Sequence, residues 1–241
     1  MESLDFTKAP PEFQEVKYLS DILLVTLASG WLVCYFATIR TAFCDRACWM
    51  PLLPLSCNVA WELVFITLYP PPGSPILGFW LLVNLGVIYS ALRFAPSKAS
   101  HLAVEKHYLP VLFVLAVGFW AWGHLALIEQ LNPLPAFYYG GMACQLMTSA
   151  AALSGLVDQG STQGASYTIW LSRVIGTSSA LAGLFFRAHY WPSLWAWADN
   201  ELMRWLAAAF GILDGVYGVQ FWRLRRSENQ LTIDHAHRKT E

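Results

Sequence analysis

Leu109–Glu129 reads LPVLFVLAVGFWAWGHLALIE, a stretch whose ionisable side chains are His124 in its second half and Glu129 at its end. A helix crosses the hydrocarbon core of a bilayer with about 20 mostly apolar residues, and this stretch has that length and character. Working outward, further candidates are Leu19–Ile39, Pro51–Tyr69, Ile76–Phe94, Pro135–Val157, Thr168–Phe186 and Met203–Trp222. Ser, Thr, Gly and Ala dilute Pro135–Val157 and Thr168–Phe186; the others are strongly apolar. The expectation is an all-α polytopic membrane protein, a bundle of seven transmembrane helices.

Composition agrees. Of 241 residues, 56% are hydrophobic and 13% charged, with a mean hydropathy of +0.42, whereas soluble domains carry about a quarter charged residues. A net charge of −1 gives no sign of nucleic-acid binding. The connections are short and rich in proline, as in Tyr69-Pro70-Pro71-Pro72-Gly73 and Asn132-Pro133-Leu134-Pro135, where the ring removes an amide donor and disfavours helix before it. With no internal repeat, low-complexity tract or long linker, residues 1–241 are expected to form one domain.

With seven spans, one side of the membrane holds Arg40, Arg46, Arg93, Lys98, Lys106, Arg223, Arg225, Arg226, Arg238 and Lys239, and the other holds Lys8, Lys17, Arg187 and Arg204. The excess of basic residues on cytoplasmic loops then places the C-terminus in the cytosol. The acidic start, with Glu2, Asp5, Glu12 and Glu15, lacks the basic n-region of a cleaved signal, so a retained first span and a lumenal N-terminus are expected.

Glu62 and Asp214 stand near the middle of apolar spans. A carboxyl at bilayer depth costs roughly 2.5–3.5 kcal/mol on insertion scales, so such residues face a protein interior and have a task. At 1.5 Å per residue, Glu62 lies about 16 Å and Asp214 about 12 Å from the cytosolic ends of their spans. Gly211, Gly215 and Gly218 flank Asp214, and Gly211-x-x-x-Gly215 is a spacing that lets a neighbouring helix approach. Such an acid stays protonated near neutral pH unless a cation pairs with it. Two of them suit general-acid chemistry on a bilayer-dissolved substrate, or a proton relay in a transporter.

The 12 Trp, 10 Tyr and 14 Phe include several within spans, among them Trp61, Trp80, Trp120, Trp122, Trp170 and Tyr217; aromatic faces stabilise cations. Arg173, a few residues inside the sixth span, either pairs with one of the acids or snorkels to the interface, and snorkelling is favoured. His124 is expected to be satisfied by a neighbouring helix in preference to relaying a proton. Cys34, Cys44, Cys48, Cys57 and Cys144 show no strong metal-ligand spacing, so no metal is expected.

Several seven-span chemistries drop out. A retinal protein needs a Schiff-base lysine in its last helix, but Lys8, Lys17, Lys98, Lys106 and Lys239 all lie outside the spans. Asp45-Arg46-Ala47-Cys48 follows the first span and lacks the aromatic of a receptor motif. No aspartate-rich motif of the kind that clamps diphosphate through magnesium is present, so a terpene cyclase with this sequence would begin by protonation.

The chain resembles the small integral-membrane terpene cyclases of fungal meroterpenoid and indole-diterpene pathways, the Pyr4 family. The resemblance runs over nearly the whole length: Ala9-Pro10-Pro11-Glu12-Phe13-Gln14, Cys57-Asn58-Val59-Ala60-Trp61-Glu62-Leu63-Val64, Leu68-Tyr69-Pro70, Gly123-His124, the run from Gly160 to Arg173, Tyr190-Trp191-Pro192 and Asp214-Gly215-Val216-Tyr217-Gly218. It implies protonation of a terminal epoxide on a prenyl chain, cation–olefin ring closure and proton loss, with Glu62 and Asp214 as essential acids. One acid is expected to deliver the proton while the other hydrogen-bonds it. Trp61 and Tyr217 are candidates for the cavity lining, and Asn58, one turn before Glu62, for orienting its carboxyl.

The leading expectation is a cofactor-independent cyclase of a lipophilic epoxidised prenyl substrate in the endoplasmic-reticulum membrane, surrounded by membrane lipid. The alternatives are a proton-coupled transporter using Glu62 and Asp214 as relay groups, and a structural membrane subunit without chemistry.

Overall fold

The computed structural model describes residues 6–70, 74–95 and 106–238, and every regular element within them is helical. The helices are α1 (Pro11–Asp45), α2 (Leu52–Thr67), α3 (Ser74–Arg93), α4 (Leu109–Leu131), α5 (Pro133–Gln159), α6 (Tyr167–Tyr190), the short α7 (Pro192–Trp195) and α8 (Glu201–Arg238). Pro71, Pro72, Gly73, Lys98, Lys239, Glu2 and Asp5, and the side chains of Lys106 and Arg238, which enter the expectations above, lie outside the described residues.

Among the described residues six helices, α1, α3, α4, α5, α6 and α8, are long and apolar enough to cross a membrane. The expected second span is shorter. Helix α2 has 16 residues, about 24 Å at 1.5 Å per residue, because Pro51 and Pro70 bracket it. Helices α1 and α8 instead overrun their expected spans, reaching 35 and 38 residues. The apolar pattern ends at Arg40 and after Trp222, but neither Pro nor Gly follows to break the helix. Helix α5 begins at Pro133, with Pro135 in its first turn, where the missing amide had no intrahelical acceptor.

Helix α1 packs chiefly on α6 and α5 on α8, while α2 is held by α3, α4 and α5. The α1–α6 seam depends on glycine: a Cβ on Gly30 would lie 2.8 Å from Cα of Gly176 and from the Ser172 carbonyl. Around Asp214 the close approach differs from the expected one. Among the described residues a Cβ on Gly211 or Gly215 would meet nothing within 4 Å, whereas one on Gly218 would lie 2.1 Å from Cζ2 of the Trp170 indole. Helix register explains this, since Gly211 and Gly215 share an exposed stripe and Gly218 is turned toward α6.

Each end of the bundle is clasped by polar contacts. At one, the loop between α5 and α6 reaches both α1 and α8. Gln163 Nε2 donates to the Asp45 carbonyl at 2.8 Å, Gly164 N–H to Asp45 Oδ2 at 2.9 Å, and Thr162 N–H to Glu228 Oε1 at 2.7 Å. Gly164, at φ 80°, makes the approach possible, since a Cβ there would lie 2.8 Å from the Ala47 carbonyl. At the other end Phe13, Trp191, Trp195 and Met203 form an apolar core, and Arg187 donates to Ser20 Oγ and the Tyr138 hydroxyl at 3.0 and 2.9 Å.

Candidate active site

Between the two clasps lies a cavity of about 430 Å³, lined by α1, α2, α3, α5 and α6. Its wall is mostly apolar and aromatic, with Trp31, Trp61, Trp80 and Phe137 among the lining residues. Glu62 is on that wall and is 1% exposed. Its carboxyl accepts from the Tyr35 hydroxyl (3.2 Å) and Asn58 Nδ2 (3.1 Å) at Oε1, and from Asn84 Nδ2 (3.0 Å) at Oε2. These partners are a phenol and two amides, none of them charged. The contact expected between Asn58 and Glu62 is present, and Asn58 also donates to the Tyr35 oxygen at 3.1 Å. Trp61 is held by its indole N–H, which donates to the Phe137 carbonyl at 2.8 Å, with the two rings 4.5 Å apart between centroids.

Asp214 is placed differently. It is buried on α8, set back from the cavity wall, in an ion pair with Arg173 and accepting from Ser149 Oγ. The expected snorkelling of Arg173 is therefore replaced by full burial: the residue is 1% exposed. Two aromatic faces compensate the guanidinium as well, with its carbon 5.1 Å from the Trp49 ring centroid and 5.4 Å from that of Tyr217. A carboxylate and two rings thus hold Arg173 inside the bundle although the helix start at Tyr167 is less than two turns away.

The expected hydrogen bond between the two acids gives way to two separate networks, one around Glu62 and one around Asp214. Tyr217, expected at the cavity, sits behind the wall against Phe221 and Arg173. What links Asp214 to the cavity is a chain that the sequence reading missed. Gln145 Nε2 donates to Ser149 Oγ at 2.8 Å, and Thr177 Oγ1 donates to Gln145 Oε1 at 3.2 Å; Gln145 and Thr177 both line the cavity. Asn84 and Gln145, amides inside apolar helices, carried a readable signal, because an unsatisfied amide in hydrocarbon is costly. Tyr35 carried none, as one tyrosine among many aromatics.

The other intramembrane aromatics divide by position. Trp80 lines the cavity, Trp170 donates its indole N–H to the Asp214 carbonyl at 3.0 Å, and Trp122 is 71% exposed on the outer face of α4. His124 is buried with Nε2 3.3 Å from the Cys57 carbonyl oxygen and 3.8 Å from its sulfur.

Residues 4–227 match the family described as Pyr4-like transmembrane terpene cyclases. The chain belongs to this family. Among curated relatives it is 45% identical over 235 residues to terpene cyclase esdpB of Penicillium shearii, covering 96% of each chain. It is 46% identical over 236 residues to terpene cyclase cle7 of Aspergillus versicolor, covering 95% of this chain and 97% of that one. Terpene cyclase paxB of Penicillium paxilli is 37% identical over 237 residues, 97% of each. No solved structure matches the chain. The chain is thus a multi-pass membrane protein of the terpene cyclase family, with Glu62 at the wall of an aromatic cavity.

Proposed function

We propose that this cyclase protonates the terminal epoxide of a prenylated meroterpenoid or indole-diterpene substrate and drives cation–olefin polycyclisation. The observation that carries the reading is Glu62: a buried carboxyl with only neutral partners, on the wall of an apolar cavity faced by several aromatic rings. Oε1 already accepts two hydrogen bonds, so the acid proton resides on Oε2, beside Asn84. Transfer of that proton to the epoxide oxygen breaks the adjacent C–O bond. The cation is then relayed along the olefins past Trp31, Trp61, Trp80 and Phe137, whose faces stabilise positive charge without competing as nucleophiles. Loss of a proton from the last cation ends the reaction and leaves an isomer of unchanged mass.

Asp214 has a positioning role in this scheme. Ion-paired with Arg173, it is a poor proton donor, but through Ser149 it fixes Gln145 and, beyond that, Thr177 on the cavity wall. The substrate enters from lipid between α1 and α3, where the lining residues Leu24 and Ile76 are each 42% exposed. Asp21, Tyr138 and Arg187, on the same lining, receive its polar head while the epoxide end lies deep, at Glu62.

Helix α2 is counted as the seventh span, so that residues 1–241 form one bundle in the endoplasmic-reticulum membrane with a lumenal N-terminus and a cytosolic C-terminus. The test is to supply microsomes carrying the protein with farnesyl and geranylgeranyl epoxides on aromatic and indole heads. Cyclised isomers of unchanged mass are expected, and are expected to vanish in Glu62→Gln. No cyclisation of any substrate by the wild type, or full activity in Glu62→Gln, overturns the reading; proton flux in liposomes that depends on Glu62 would favour transport instead.

A further inference from the structure

We infer that Cys57, His124 and Cys144 form a zinc site that staples α2 to α4 and α5. The three side chains come from three helices, are all buried, and place their ligand atoms within 4.8 Å of one another. The two sulfurs are 3.5 Å apart, and His124 Nε2 is 3.8 Å from Cys57 Sγ. Around a tetrahedral zinc ion, with Zn–S of about 2.3 Å and Zn–N of about 2.0–2.1 Å, neighbouring ligand atoms stand about 3.6–3.8 Å apart. Those two separations match a shared ion to within a few tenths of an ångström, and the third, within 4.8 Å, closes with a shift of about 1 Å.

The ring is aimed by a missing side chain. A Cβ on Gly140 would lie 3.1 Å from His124 Nδ1 and 3.0 Å from Trp61 Cδ1, so glycine makes room for the imidazole in the orientation that turns Nε2 toward the thiols. Sulfur and imidazole ligands select zinc or copper(I) over magnesium, calcium or manganese. Charge then favours zinc. Two thiolates and a neutral imidazole cancel its two positive charges, leaving a neutral centre in apolar surroundings, whereas copper(I) would leave a buried negative charge.

Binding balances simply: zinc gains two sulfur bonds and one nitrogen bond, and the two thiol protons pass to solvent. Three protein ligands leave a fourth position, which water fills from the cavity that Cys144 lines. The consequence is mechanical. Cys57 precedes Glu62 by little more than one turn on α2, so a staple at Cys57 fixes the depth of the short helix that carries the acid. This inference does not rest on the cyclisation reading.

The full-length protein, purified in detergent without chelators, should contain about one zinc ion per chain. Replacement by cobalt(II) should give thiolate-to-cobalt charge-transfer absorption. Both signals should be lost in Cys57→Ser and Cys144→Ser and kept in Cys48→Ser. Zinc content well below one per chain even after equilibration with zinc, together with no charge-transfer absorption from cobalt, overturns the site, as does undiminished metal in Cys57→Ser. Should the serine variants fail to fold, the wild-type cobalt spectrum decides alone.

Discussion

Replacing Asp214 by asparagine leaves Arg173 as a buried charge without its acidic partner. Removing one member of a buried ion pair costs about 3–5 kcal/mol, and here the upper half of that range is expected. Among the described residues Arg173 Nε and Nη1 have no hydrogen-bond partner, so Asp214 is the guanidinium's principal polar contact there. The Trp49 and Tyr217 faces remain in the variant and do not reduce the difference. Arg173→Met should cost less, because the unpaired Asp214 carboxyl can take up a proton whereas an unpaired guanidinium cannot lose one. The double variant Arg173→Met/Asp214→Asn removes both charges, and its asparagine oxygen still accepts from Ser149. It should unfold within about 1 kcal/mol of the wild type, a coupling of about 3 kcal/mol or more. The assay is equilibrium unfolding in detergent, paired with product formation from a prenyl epoxide. On the proposed positioning role of Asp214, through Ser149 and Gln145, the double variant should cyclise within about tenfold of the wild type, about 1.4 kcal/mol in the barrier. A double variant as stable as the wild type but no more active than Asp214→Asn would refute the positioning role and put the Asp214 charge in the chemistry.

Glu62→Gln should lower turnover by about 10²- to 10⁴-fold, the range for a lost general acid, without loss of folded protein in size-exclusion chromatography; a smaller drop would point to another donor. Asn84→Ala removes the donor to Glu62 Oε2 and should cost about 1 kcal/mol of stability, visible as an earlier thermal midpoint. Gly218→Ala drives a methyl into the Trp170 ring and should destabilise by about 1–3 kcal/mol, whereas Gly211→Ala and Gly215→Ala, with nothing within 4 Å, should be neutral or better; equal costs at all three positions would contradict the packing. In sealed microsomes an impermeant maleimide should label exposed Cys44 from the cytosolic side and spare Cys48, whose thiol burial pushes up to about 11. Labelling of Cys44 only after the membranes are opened would reverse the proposed orientation.

The helices were legible because a hydrocarbon span leaves its mark in every residue it contains. The apolar run in α4 could scarcely be anything else, and it begins at the expected Leu109. Ends were less legible because hydropathy and helicity are different properties. Helix α1 continues past Arg40 to Asp45 since charge ends the lipid-facing zone without breaking backbone hydrogen bonds. The glycine spacing near Asp214 misled for a related reason. Gly211 and Gly215 satisfy a packing pattern in one dimension, but which stripe of α8 faces α6 is decided by the partner, and the indole of Trp170 meets Gly218.

The site shows the same division between what one helix encodes and what several assemble. The Asn58–Glu62 contact is a property of α2 alone, four residues apart, and so could be read in advance. The partners that give the two acids opposite characters come from other helices: Tyr35 from α1 and Asn84 from α3 for Glu62, Ser149 from α5 and Arg173 from α6 for Asp214. Similar depth in the membrane made the acids look like equivalents. A phenol and two amides around one, and a guanidinium against the other, make them unlike, and this asymmetry is the ground on which proton donation is proposed for Glu62 and a positioning role for Asp214.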